Sequence, residues 1–195
     1  MIRPLLLLLL GLAAVALVRG VLGDFRRRRQ TALIERLRAS FVHGAPLAPP
    51  VRLVGLQEIR YQGLDLRLPG SWRFEPQAER LLGAIDVDGQ VTLQLEHAGS
   101  DVGLGSSGTP AATVVGESSS RWRITKDVEL VRRGDDLLAV YTWRVALATG
   151  EVRLRLSMPA AAATSVLRQS DVTAVERALA EATTTTAAAA PDLSA

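Results

Sequence analysis

The chain has 195 residues and 48% hydrophobic content, enough for one sizeable core and too little for two full domains. The formal charge of +3 is unevenly spread: residues 1–50 carry eight arginines against Asp24 and Glu35, whereas residues 51–195 carry fifteen basic against eighteen acidic side chains. A mildly acidic body lacks the broad phosphate-binding footprint of a nucleic-acid binder, and the absence of cysteine excludes disulfides, thiolate metal sites and a lipidated cysteine.

Met1 to Arg3 is a short positive start, followed by an apolar run from Pro4 to Val18. Those fifteen positions reach about 22 Å as a helix, and extension to Leu22 brings the length to about 28 Å, close to the roughly 30 Å hydrocarbon core. The pattern predicts one transmembrane helix over residues 4–22 within an anchor of residues 1–23, with Leu5, Leu8, Leu12 and Val15 facing lipid. Arg19 would snorkel to the head groups. The alternative is a cleaved secretory signal, for which Ala14-Val15-Ala16 has the small-x-small form. Arg26, Arg27, Arg28 and Arg29 resist translocation, so the positive-inside rule predicts a single-pass protein of the inner (cytoplasmic) membrane with its main domain on the cytoplasmic side.

Gly23-Asp24 predicts a break and an N-cap, after which Phe25, Leu33, Ile34, Leu37 and Phe41 recur near helical spacing on a second, arginine-backed helix. Such a helix suits a membrane interface or a solvated stalk; the first option extends lipid contact over residues 4–41. Gly44 to Pro50 ends it and completes a juxtamembrane segment of residues 24–50.

Residues 51–182 show period-two alternation. Leu64-Asp65-Leu66-Arg67-Leu68 and Val91-Thr92-Leu93-Gln94-Leu95 predict half-buried strands, with shorter strands at 51–61 and 80–87. Trp122, Ile124, Val128 and Leu130 share a parity that Lys126 interrupts, which predicts a bulge or a sheet edge. Leu137, Ala139, Tyr141, Trp143, Val145 and Leu147 line one face of a strand, and Val152, Leu154, Leu156 and Met158 continue it. A turn at Thr149-Gly150 would pair Val145 with Leu154 and Trp143 with Leu156. Leu138 and Val140, on the opposite parity, predict a helix over the second face.

Ser170 as N-cap, with Val172, Val175, Leu179 and Ala182 on one stripe, predicts a C-terminal docking helix, and residues 183–195 have too little apolar bulk to pack. The fold class is α+β: an anchor helix, a mostly antiparallel sheet domain and a C-terminal packing helix. The element order and the turn Leu68-Pro69-Gly70-Ser71-Trp72 resemble PsbP-like domains over roughly residues 56–182. That resemblance implies an α/β sandwich with a non-catalytic accessory role, and it carries no catalytic residues or cofactor.

No motif for chemistry stands in its required context. Gly103 to Gly108 spells G-x-G-x-x-G, but Thr109-Pro110 follows where a helix is needed. His43 and His97 lie in different elements, Asp88-Gly89 and Asp135-Asp136 read as turns, and only Asp86 with Asp88 could meet a hard cation. Serines 118–120 lack a nucleophile's setting. The chain therefore reads as a non-enzymatic accessory subunit without cofactor or metal, partnered by membrane lipids and other membrane-complex subunits and not by nucleic acid; the alternative is an exported ligand-binding module.

A basic face is the one surface signal. Arg121, Arg123, Arg144, Arg153 and Arg155 share outward parity, with Arg144 expected opposite Arg155. Like charges facing across a ladder disfavour folding unless water, lipid or an acidic partner offsets them. On the same parity argument Arg153→Ala should leave stability unchanged.

Overall fold

The computed structural model describes residues 2–44, 55–77, 80–97, 123–148 and 150–184, with the side chains of the first helix described from Leu17 to Val42. The chain divides into two compact units, Met1–Arg36 and Leu37–Ala195.

The first unit is helical from Ile2 onward. Helix α1 (Ile2–His43) runs on through Gly23 and Asp24, where a break was expected. One glycine costs a long helix about 1 kcal/mol, too little to end it, and Asp24 caps nothing while its neighbours stay helical. Leu17, Val18, Val21, Leu22 and Phe25 are exposed on one stripe. The Arg29 guanidinium lies 4.3 Å from the Phe25 ring centroid. The side chains of Leu5, Leu8, Leu12 and Val15 fall outside the described residues. Among the described residues no helix is long and apolar enough to cross a membrane. The helix stops where Gly44 takes φ +70, the left-handed conformation that closes a helix C-terminus; most of the Pro-rich linker, residues 45–50, lies outside the described residues.

The second unit begins with the last turns of α1. Leu37 and Phe41, expected on a lipid-facing or stalk stripe, are buried in the core. The Phe41 ring meets Tyr141 at 5.0 Å and Trp143 at 5.1 Å, edge-on to both. Leu37 and Phe41 are therefore not available to lipid, which corrects the expected contact over the whole of residues 4–41.

A small sheet is built from β1 (Leu56–Tyr61), β2 (Leu64–Pro69) and β9 (Thr183–Thr184), in the order β1-β2-β9. Gln62 and Gly63, both at positive φ, form the two-residue turn between β1 and β2. Leu64, Leu66 and Leu68 face inward, fully or almost fully buried. The Leu-Pro-Gly-Ser-Trp segment closes on a Trp72 N–H bond to the Pro69 carbonyl, and the Gln57 amide donates to the carbonyls of Pro69 and Trp72 at 2.9 and 2.6 Å. Thr183 and Thr184, expected in an unpacked tail, pair with Asp65 and Leu64, because backbone hydrogen bonding to an open sheet edge needs no apolar bulk. Residues 185–195 lie outside the described residues.

The main sheet has six antiparallel strands in the order β3-β4-β5-β8-β7-β6: β3 (Arg73–Gln77), β4 (Arg80–Ala84), β5 (Thr92–His97), β6 (Arg123–Arg133), β7 (Asp136–Leu147) and β8 (Gly150–Pro159). Its inner face carries Leu93, Leu95, Ile124, Val128, Tyr141 and Trp143 among others, all buried as the alternation predicts. The register of the long hairpin differs from expectation: Val145 pairs with Val152, Trp143 with Leu154 and Leu147 with Gly150. Gly150 is thus a paired strand residue and not part of the turn. Such a shift by two residues preserves every facing, since side chains alternate with period two.

Lys126 marks an edge, because β6 is the last strand of its sheet. Its ammonium reaches inward over the Phe41 ring at 5.6 Å and pairs with Glu176, an inward charge of the kind that keeps edge strands from pairing with other chains.

Helix α2 (Val166–Glu181) starts earlier than expected, capped by Ser165, whose Oγ accepts from the Arg168 N–H at 3.3 Å. Ser170 sits inside the helix and donates to the Leu167 carbonyl. The buried stripe holds Val172, Val175 and Leu179, while Ala182 is the C-cap. Gln169 donates to the Tyr141 hydroxyl and the Ala163 carbonyl. Burial pushes the Tyr141 hydroxyl up to about 12, opposed by the bond it accepts from Gln169. Arg168 joins Asp86 at 3.3 Å and Asp171 at 3.0 Å. Burial pushes the Asp171 carboxyl up, opposed by its bond to Arg168.

Candidate partner-binding face

The face of the six-stranded sheet turned away from the core is polar because the alternation that sends Leu93, Leu95, Leu154 and Leu156 inward sends Gln94, Glu96, Arg153 and Arg155 outward. Strand order sets the neighbours. One row across the sheet reads Gln77, Arg80, Glu96, Arg153, Arg144 and Thr125. The next reads Glu75, Leu82, Gln94, Arg155, Thr142 and Asp127.

Arg144 therefore stands opposite Arg153, not Arg155, as the shifted register requires. Two carboxylates lie among the arginines of this face. Glu96, only 5% exposed, accepts from Arg153 Nη1 at 3.2 Å and from the Gln94 amide at 3.0 Å, with Arg155 Nη1 at 4.0 Å. Glu129 lies 3.7 Å from Arg155 Nη2. Among the described residues Arg144 has no ion-pair partner, and its buried Nε lacks a hydrogen-bond acceptor, as does that of Arg153.

Of the five arginines expected on this face, the structure brings Arg144, Arg153 and Arg155 together. Arg123 is exposed at the start of β6, opposite Ala146, and Arg121 lies outside the described residues. Glu96, Glu129 and Gln94 are the site residues that sequence reasoning missed. Their outward parity was visible, but β5 pairs with β8 across a long stretch of sequence, so their pairing with the arginines was not.

Beside this lattice a groove of about 850 Å³ runs across the outer face, lined by Arg80, Gln94, Arg155, Arg132 and Arg133 with Asp136 as the acidic contribution. Its apolar floor is Leu82, Val140, Leu138 and Val131. A helix was expected to cover Leu138 and Val140; among the described residues they line this groove instead. Arg132 and Arg133 flank the tight turn at Gly134, which takes φ +61. The arrangement suits binding of an anionic group: guanidinium donors over an apolar floor, with amides that both donate and accept.

The other sites weighed from sequence have structural roles or fall outside view. Asp86 accepts from the Val91 N–H at 3.0 Å and pairs with Arg168. The His97 imidazole packs where a Cβ on Gly150 would sit, 2.6 Å from its Cε1, which explains glycine there. The His43 side chain, the glycine run at 103–108 and serines 118–120 lie outside the described residues. Among the described residues no group of three or more His, Cys, Asp or Glu side chains is placed to hold a metal ion.

No family profile matches the chain, and no curated protein sequence does. Among solved structures it is similar to a crystal structure from Bacteroides thetaiotaomicron, at 7% identity and a TM-score of 0.45. The match covers 63% of this chain and 45% of that one, a likeness too slight to carry any argument about function.

Proposed function

We propose that this chain is a non-catalytic accessory subunit, held at a membrane by its N-terminal helix, whose β domain meets other subunits of a membrane complex through the outer face of the six-stranded sheet. The carrying observation is the exposed stripe of Leu17, Val18, Val21, Leu22 and Phe25, directly followed by Arg26, Arg27, Arg28 and Arg29. Exposed apolar side chains in such a row favour hydrocarbon, and guanidiniums at their end favour anionic head groups. The apolar run from Pro4 continues the same helix in sequence. The anchor in this reading is single-pass, in the inner membrane, with the domain on the cytoplasmic side by the positive-inside rule. The PsbP-like resemblance implies the same accessory role.

Extraction in mild detergent and purification of the full chain test this reading. A membrane protein recovered in stoichiometric amount supports it, and a lone monomer from every extraction overturns it. A second reading, an exported ligand-binding module, draws on the groove. Intact mass separates the two: an uncleaved Met1 supports the anchor, and a mature start near Leu17 supports export.

A further inference from the structure

The groove across the outer face has its positive charges spread along its length. Arg80 lies at the β4 end, Arg155, beside Glu96 and Glu129, in the middle and Arg132 with Arg133 at the β6 end, and among the described lining residues Asp136 is the one carboxylate. Among the described residues neither Arg132 nor Arg133 is ion-paired, and both are exposed. From β4 to β6 the groove spans four strand spacings, roughly 19 Å at about 4.8 Å each, the length of about six extended residues.

We propose that this groove is a docking site for an acidic, extended polypeptide segment of about six residues. A ligand with a single charged head needs its cations at one end, whereas these lie at both ends and the centre. A polyphosphate chain offers acceptors only. Here the amides of Gln77, Gln90 and Gln94 supply acceptors as well as donors, the complement of a peptide backbone. The floor of Leu82, Val131, Leu138 and Val140 takes the apolar side chains of such a segment, which alternate with its acidic ones. The proposal rests on the reading of this chain as a subunit that meets a protein partner.

The probe is a fluorescein-labelled Glu-Val-Glu-Val-Glu-Val peptide, titrated by anisotropy against the full chain in detergent micelles at low salt. Saturable binding is expected, at least tenfold tighter than that of the Lys-Val counterpart. The double variant Arg132→Glu, Arg133→Glu should weaken it at least tenfold while keeping the parent's melting curve, since both side chains are exposed beside a turn. Arg123→Glu, outside the groove on the same sheet, should leave it unchanged. Absence of saturable binding overturns the proposal, as does equal loss in Arg123→Glu or tighter binding of a six-nucleotide thymidylate. If the membrane partner co-purifies equally well with the double variant, the groove inference fails while the accessory reading stands. If no partner co-purifies from any extract, that reading fails whatever the peptide does.

Discussion

Arg153 and Trp143 illustrate how much a side chain's partners matter beyond its facing. Trp143 is fully buried beside Phe41 and Tyr141, so Trp143→Ala should cost about 3–5 kcal/mol in urea denaturation. Arg153 faces outward, yet it is the nearest cation to the buried Glu96 carboxylate. Its removal leaves that charge with the Gln94 amide and an arginine at 4.0 Å. Arg153→Ala should therefore cost about 1–2 kcal/mol, unlike the silent change that parity alone predicts. Tyr141 supplies a pH test. Its hydroxyl is raised to about 12 in the folded state against an ordinary 10.0, so between these values the folded state holds a proton that the unfolded state loses. The contribution is fully present below pH 10 and is lost as pH rises toward 12. Tyr141→Phe should have nearly the parent's stability at pH 8 and a shallower decline above pH 10, read from melts across that range.

At the scale of elements, α2 turns on which serine caps it. Ser165 leaves the helix in an extended conformation and accepts the Arg168 N–H, whereas Ser170 lies within the helix and donates to a carbonyl. Ser165→Ala should lose about 1 kcal/mol, and Ser170→Ala should fall within about 0.5 kcal/mol of the parent in the same denaturation assay. The reverse order would return the helix start to Ser170. Helix α1 teaches the converse lesson: its apolar stripe looked continuous from Phe25 to Phe41, but its last turns belong to a core. Phe25 is exposed while Phe41 fills the angle between Tyr141 and Trp143.

For the whole molecule, the proposed sidedness is open to direct labelling. The chain has no cysteine, and Asp135 is exposed in the turn between β6 and β7, so Asp135→Cys would create its only thiol. A membrane-impermeant maleimide should label that thiol only after the membrane is opened, as expected of a cytoplasmic domain. Ready labelling in intact cells would place the domain outside.

Alternation in Leu64–Leu68, Val91–Leu95 and the 137–158 hairpin determined by itself which side chains face the core, because strand facing depends only on position parity. Charge and hydropathy alone likewise set out the contrast between an arginine-rich N-terminal segment and a mildly acidic remainder. Tertiary structure decided what parity cannot carry. The pairing of β5 with β8 brought Glu96 to Arg153, and the register of the hairpin set Arg144 against Arg153 instead of Arg155. The burial of Leu37 and Phe41 was legible only once the sheet they cover existed. Local periodicity records the environment of each residue, whereas cross-strand partners and the groove they form come from strand order, which depends on contacts between distant parts of the chain.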